Sequence, residues 1–259
     1  MSSPTPYPEL NEVLRELVAG VREILADNFC GAYLQGSFAV GDADEHSDVD
    51  FIVATHDELT DEQVDALQAL HKRLYSFDSP WAQHLEGSYV PTNELRHVDE
   101  SRLAWWYLDN GASELVKDNH CNTAVVRWSL REKGVVLAGP APKTLIEPVS
   151  ADELRSDVLI ALREWADWLG TSPSYSRRAQ GVTVLSICRI LHTFESGLVR
   201  TKREAGEWAL GALSPEWASL VQEALDDRPD PWTKVRERAG PDVVKRTLAF
   251  VDYAVERTS

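Results

Sequence analysis

The chain has 259 residues, 43% of them hydrophobic, and a formal net charge of −16 at pH 7. That apolar content suffices for the core of one large domain or two ordinary ones, and with no run of about twenty apolar residues no membrane span is expected. The acidic balance disfavours DNA or RNA, whose phosphates ordinarily need a basic face, and suits a positively charged partner, although it also suits any soluble acidic protein.

Residues 1–8 lack the basic and apolar regions of a signal peptide and read as a flexible lead-in, so a cytoplasmic location is expected. Cys30, Cys121 and Cys188 are far apart and odd in number. They form neither a disulfide framework nor a zinc site and read as small buried thiols. Helical spacing of Leu10, Val13, Leu14, Leu17, Val21, Ile24 and Leu25 predicts a helix over 10–29. A short strand follows at 31–35, then Gly36-Ser37, a polar linker over 41–47, and a second strand over 49–54. Thr60 and Gln63 have capping-box spacing and open a helix towards Tyr75. A third strand is expected over 82–90, ended by Pro91, then a helix over 123–133 and a strand over 134–137.

Prolines between Pro140 and Pro148 break both periodicities and place a boundary that divides the chain into domains 1–147 and 148–259. The second part reads as helical. Ser150 and Glu153 form a capping box; a second helix spans 179–195 and stops at Gly197; Thr201 begins a third; Ser214 caps a fourth with Pro215 at its first position; the last covers 242–257.

Chemistry concentrates near the first two strands. A glycine after a strand lets the backbone turn so that amide N–H groups and the Ser37 hydroxyl can face an anionic oxygen. The strand period of two puts Asp48 and Asp50 on one face. Two carboxylates that close cost free energy unless a cation or protons intervene, and Mg²⁺ suits a site of carboxylate and phosphate oxygens. On the third strand Glu86 shares a face with His84 and Ser88, and an antiparallel neighbour would bring it beside the two aspartates. Arg200, Lys202 and Arg203 crowd the start of a helix, where cations oppose the macrodipole, which suggests an anion site. His120 and His192 are read as structural donors outside the site. The Trp105-to-Gly111 segment reads as a buried aromatic wedge or a stacking platform.

The segments Leu34-Gln35-Gly36-Ser37 and Ser47-Asp48-Val49-Asp50-Phe51-Ile52-Val53 together resemble the polymerase-β-like nucleotidyltransferase superfamily. Val135-Val136-Leu137-Ala138-Gly139-Pro140-Ala141-Pro142, Val184-Leu185-Ser186-Ile187-Cys188-Arg189-Ile190 and Lys202-Arg203-Glu204-Ala205-Gly206-Glu207-Trp208-Ala209 are similar to the aminoglycoside 3''/9 adenylyltransferases. The resemblance implies an α+β fold: an N-terminal polymerase-β-like nucleotidyltransferase domain with a small mixed sheet, and a C-terminal α-helical bundle domain. It further implies ATP as substrate and Mg²⁺ held by Asp48, Asp50 and Glu86, with Glu86 as catalytic base. Nucleotide binding would fall to Gly36, Ser37, Ser47, Arg189 and Lys202, in a cleft between the domains.

The implied activity is transfer of AMP to a hydroxyl of a small polar, cationic acceptor, an aminoglycoside or spectinomycin among them, by a monomer. Transfer to a protein hydroxyl or RNA end, and nucleotide binding without turnover, are the rival readings. Streptomycin-modifying members carry acids just before the helix of Arg189. Here that stretch reads Arg177-Arg178-Ala179-Gln180-Gly181, and two arginines there would repel a guanidinium.

Overall fold

The computed structural model describes residues 3–45, 47–99, 101–171, 176–228 and 237–259; Met1 and Ser2 of the lead-in and His46 of the motif linker lie outside them. The chain divides into two units, Met1–Val149 and Ser150–Ser259.

In the first unit, α1 (Pro8–Leu25) buries Leu10, Val13, Leu14, Leu17, Val21 and Leu25 along one stripe, each contributing about 1.5–3 kcal/mol relative to exposure. It ends four residues before the expected Phe29, because Ala26 leaves helical geometry at φ 47° and Phe29 already belongs to β1 (Phe29–Leu34). A five-residue helix, α2 (Gly36–Val40), then occupies what sequence suggests is only a turn. β2 (Val49–Thr55) leads to α3 (Asp61–Tyr75), which Thr60 and Gln63 open with both bonds of a capping box. β3 (Leu85–Pro91) follows, three residues shorter at its start than expected because Pro80–His84 form a 3₁₀ turn, and the single turn of α4 (Thr92–Leu95) comes directly after it.

Two strands escape the sequence pattern, β4 (Trp105–Leu108) and β5 (Leu115–Asp118). With four residues each they are too short for a period of two to stand out. After α5 (Ala124–Lys133), capped by the Thr123 hydroxyl, β6 (Val135–Ala138) completes a sheet of order β5-β4-β3-β2-β1-β6. β2 and β3 pair in parallel and the remaining neighbours antiparallel, so the sheet is mixed.

Alternation along the strands feeds two cores. Val49, Phe51, Val53, Leu85 and Tyr89 pack with α1 and α3, whereas Ile52, Ala54, Val90, Trp105 and Tyr107 pack with Leu95, Leu130 and Ile146.

In the second unit, α6 (Ala151–Thr171) is opened by reciprocal Ser150 and Glu153 bonds. α7 (Arg177–Ser196) begins at the Ser176 cap and stops at Gly197, whose φ of 68° is left-handed. α8 (Lys202–Ala212) has the Thr201–Glu204 capping box. Ser214 does not cap as expected; it donates to Glu216 at 3.0 Å, and a 3₁₀ turn over Pro215–Trp217 precedes α9 (Ala218–Asp226). α10 (Pro241–Arg257) closes the chain. Half of the α7 side chains are buried because it packs against α6, α8, α9 and α10 at once. Among the described residues no helix is long and apolar enough to cross a membrane.

Candidate active site

Asp48 ends the loop before β2 and Asp50 is the strand's second residue; both are half-buried. Since Val49 and Phe51 turn into the core beneath α1 and α3, the strand period puts Asp48 and Asp50 on the opposite face, above Ile52 and Ala54. Glu86 stands on that same face of β3, in register with Asp50. The two strands run parallel, which corrects the expectation of an antiparallel neighbour. Their connection runs through α3, a crossover long enough to return the chain in the same direction. Parallel pairing has a consequence for chemistry, because it sets Asp50 and Glu86 at the N-terminal ends of both strands.

The end of β4 supplies polar partners. Tyr107, 5% exposed, donates its hydroxyl proton to Glu86 Oε1 at 2.9 Å and shares it with Asp109 Oδ1 at 3.1 Å. Burial, then Glu86 and Asp109, push its pKa upward, so the phenol stays a donor. His120 lies just after β5 with Nε2 3.1 Å from the same Oε1. The hydrogen bond to Glu86 raises its pKa, with desolvation opposing. Asn110 donates to Asp48 Oδ2 at 3.3 Å and accepts from His84 Nδ1 at 2.9 Å. His84 therefore reaches the site from the 3₁₀ turn rather than from the strand.

Gly36 has φ +58°, and a Cβ there would stand 1.9 Å from Asp50 Oδ2. Only a glycine fits between the β1 end and that carboxylate. Among the described residues, Ser37 Oγ is buried with no hydrogen-bond partner. Ser47 is committed locally, accepting from the Asp44 amide at 2.9 Å and donating to its carboxylate at 3.3 Å. No group of three or more His, Cys, Asp or Glu spaced to hold a metal ion occurs among the described residues.

Arg189 lies half-buried in α7 and Lys202 half-buried at the first position of α8, both in the second unit. The cost of cations at the start of α8 is offset by Glu204, which completes the capping box and faces Arg200 at 3.6 Å. Arg177 is not the free repulsive charge that its sequence position suggests. Asp227 takes its guanidinium through two bonds of 2.5 Å and Glu237 lies at 3.2 Å.

Sequence reasoning missed Tyr107, Asn110 and His120. The expectation that left His120 outside the site is corrected by its contact with Glu86. The four residues of β4 carry too short a pattern to signal it, and the polar groups that follow it are brought to the carboxylates only by its pairing with β3.

Residues 144–255 match the family model described as the C-terminal domain of aminoglycoside adenylyltransferase. The chain is 24% identical over 225 residues to an aminoglycoside (3'') (9) adenylyltransferase of Shigella flexneri, covering 83% of this chain and 84% of that one. It is 21% identical over 257 residues to a spectinomycin 9-adenylyltransferase of Campylobacter jejuni, covering 95% and 94%. In structure it resembles the spectinomycin adenyltransferase of Enterococcus faecialis, solved with ATP and spectinomycin, with a TM-score of 0.74 at 15% identity over 95% of this chain and 98% of that one.

Proposed function

We propose, because the chain belongs to the aminoglycoside 3''/9 adenylyltransferase-like family of nucleotidyltransferases, that it transfers AMP from ATP to a hydroxyl of a small polar, cationic acceptor such as spectinomycin or an aminoglycoside. The observation that carries this reading is the in-register pairing of Asp50 with Glu86 on parallel strands, with Asp48 in the loop just before the Asp50 strand and Gly36 against the Asp50 carboxylate.

The residues fit a metal-bound triphosphate. The space that a Gly36 side chain would fill, and the buried Ser37 hydroxyl without a protein partner, suit a phosphate oxygen. Mg²⁺ usually takes one or two carboxylates and completes its shell with phosphate oxygens and water, so Asp48, Asp50 and Glu86 need not form a closed cage. Bound there, Mg²⁺ would supply neutralisation of the charge that develops on the phosphate. Arg189 and Lys202 would add positive charge for the nucleotide's phosphates. Glu86 would take the proton of the acceptor hydroxyl as its oxygen attacks the α-phosphorus, and pyrophosphate would leave.

The test is pyrophosphate release from ATP with spectinomycin, aminoglycosides, a protein and an RNA as acceptors. Release with a small acceptor is expected. Glu86→Gln should keep ATP affinity by calorimetry while turnover falls roughly 10²–10⁴-fold. Release only with protein or RNA would replace the small-molecule reading, and wild-type turnover in Glu86→Gln would remove Glu86 from the mechanism.

A further inference from the structure

We propose that Tyr107 and His120 are positioning residues for Glu86, which together occupy its Oε1 and reserve Oε2 for the proton of the attacking hydroxyl. The inference rests on the reading of Glu86 as the base. It adds how that carboxylate is held.

A carboxylate oxygen offers two lone-pair directions. On Oε1 both have donors, the Tyr107 hydroxyl at 2.9 Å and His120 Nε2 at 3.1 Å. Among the described residues Oε2 has no hydrogen-bond partner. The donors are themselves fixed. Tyr107 sits inside β4 beside Ser88, its single O–H proton is shared between Glu86 Oε1 and Asp109 Oδ1, and Asp109 Oδ1 also accepts the Asn110 amide at 2.9 Å. His120 packs against the Tyr107 ring with centroids 5.3 Å apart, and its backbone N–H is tied to Asp118 Oδ1 at 2.7 Å.

Held from one side, the carboxylate cannot swing about its terminal torsion, and one oxygen presents a constant direction to the substrate. In the reaction the hydroxyl O–H bond breaks as its oxygen bonds to the α-phosphorus. The proton passes to Oε2, while the bond from the α-phosphorus to the oxygen bridging the β-phosphate breaks and pyrophosphate leaves with that electron pair.

The two donors are unequal. Tyr107 is buried, whereas the His120 side chain is 61% exposed and competes with water. Loss of the Tyr107 hydroxyl should therefore cost about tenfold in kcat, and loss of the His120 imidazole about two- to threefold.

Two measurements test the inference. The first is the carboxyl resonance of Glu86 in protein labelled with ¹³C-glutamate, without substrates, identified by its disappearance in Glu86→Gln. It should move in Tyr107→Phe, move less in His120→Ala, and return towards its wild-type position in His120→Gln, which keeps an N–H donor. A resonance unmoved in both Tyr107→Phe and His120→Ala overturns the proposal, and His120, being at the surface, can be replaced without threatening the fold. The second is kinetic. Tyr107→Phe should lower kcat with KM for ATP and acceptor unchanged, and should add nothing when introduced into Glu86→Gln. An equal loss in that background would mean that Tyr107 acts independently of Glu86 and would also overturn it. A wild-type chain without pyrophosphate release for any acceptor would refute the transferase reading, while the resonance would still decide whether Tyr107 and His120 hold Glu86.

Discussion

Gly36 concentrates two constraints in one residue. Its φ of +58° costs any side-chain-bearing residue about 1–2 kcal/mol. A Cβ would also meet Asp50 Oδ2 at 1.9 Å and Asp50 Cγ at 2.5 Å, so the carboxylate would have to move. Gly36→Ala should thus lose Mg²⁺-dependent ATP binding and turnover, with a melting temperature lowered by only a few degrees, since the strain falls on the surface end of β1 rather than on the core. Calorimetry and pyrophosphate release check this; wild-type ATP affinity in the variant would remove the cradle argument. At this scale the sequence was uneven. Gly36, Asp48 and Asp50 are legible because their chemistry lies within fifteen residues of chain, and Glu86 because a resemblance points to it. His120 carries no local mark: its neighbours Asn119 and Cys121 look like any turn, and its meaning comes from a carboxylate two strands away.

Packing between α3 and β3 encloses a titratable side chain. His71 is 2% exposed, with Nε2 2.8 Å from the Tyr89 hydroxyl of β3, Nδ1 without a hydrogen-bond partner among the described residues, and its ring stacked on Phe51 of β2 at 5.9 Å between centroids. Burial lowers its pKa from 6.5 to about 4, so the folded state keeps the ring neutral. Between those values the unfolded chain binds a proton that the folded chain does not. Stability from this group is complete above pH 6.5 and is lost as pH falls towards 4, by about 3 kcal/mol over the whole window. Melting curves of wild type and His71→Gln between pH 7 and 4.5 measure it: the wild type should lose more on acidification, and parallel curves would show that His71 does not set the acid response. Elements were legible where their signals are local. The capping boxes at Thr60, Ser150 and Thr201 and the stop at Gly197 satisfy orphan backbone groups within a few residues, so spacing alone reveals them. Strands β4 and β5 are short, and only the pairing of β4 with β3 and of β5 with β4 makes them strands at all.

For the molecule as a whole, the acceptor is the open choice. If the resemblance holds position by position, Ala179 and Gln180 replace the acids of streptomycin-modifying members, and Gln180 is buried and neutral. A guanidinium left without its partner typically costs ~3–5 kcal/mol, or about 10²–10⁴ in affinity. The missing acids, rather than repulsion by Arg177, whose charge Asp227 and Glu237 neutralise, would disfavour the guanidinium. Streptomycin should be a poor substrate and spectinomycin, with fewer charge contacts to satisfy, the better one. Minimum inhibitory concentrations in a sensitive bacterium expressing the chain decide it; strong protection against streptomycin would sink the pocket argument. What the sequence determined by itself was the reaction class and the α+β plan, because a Gly-Ser turn, an Asp-x-Asp strand and helix caps are written in neighbouring residues. The tertiary structure alone decided that β2 and β3 run parallel, that Tyr107, Asn110 and His120 gather around the carboxylates, and that Arg177 is paired. Those facts depend on contacts between residues far apart in the chain, where pairing and burial, not spacing, select the partner.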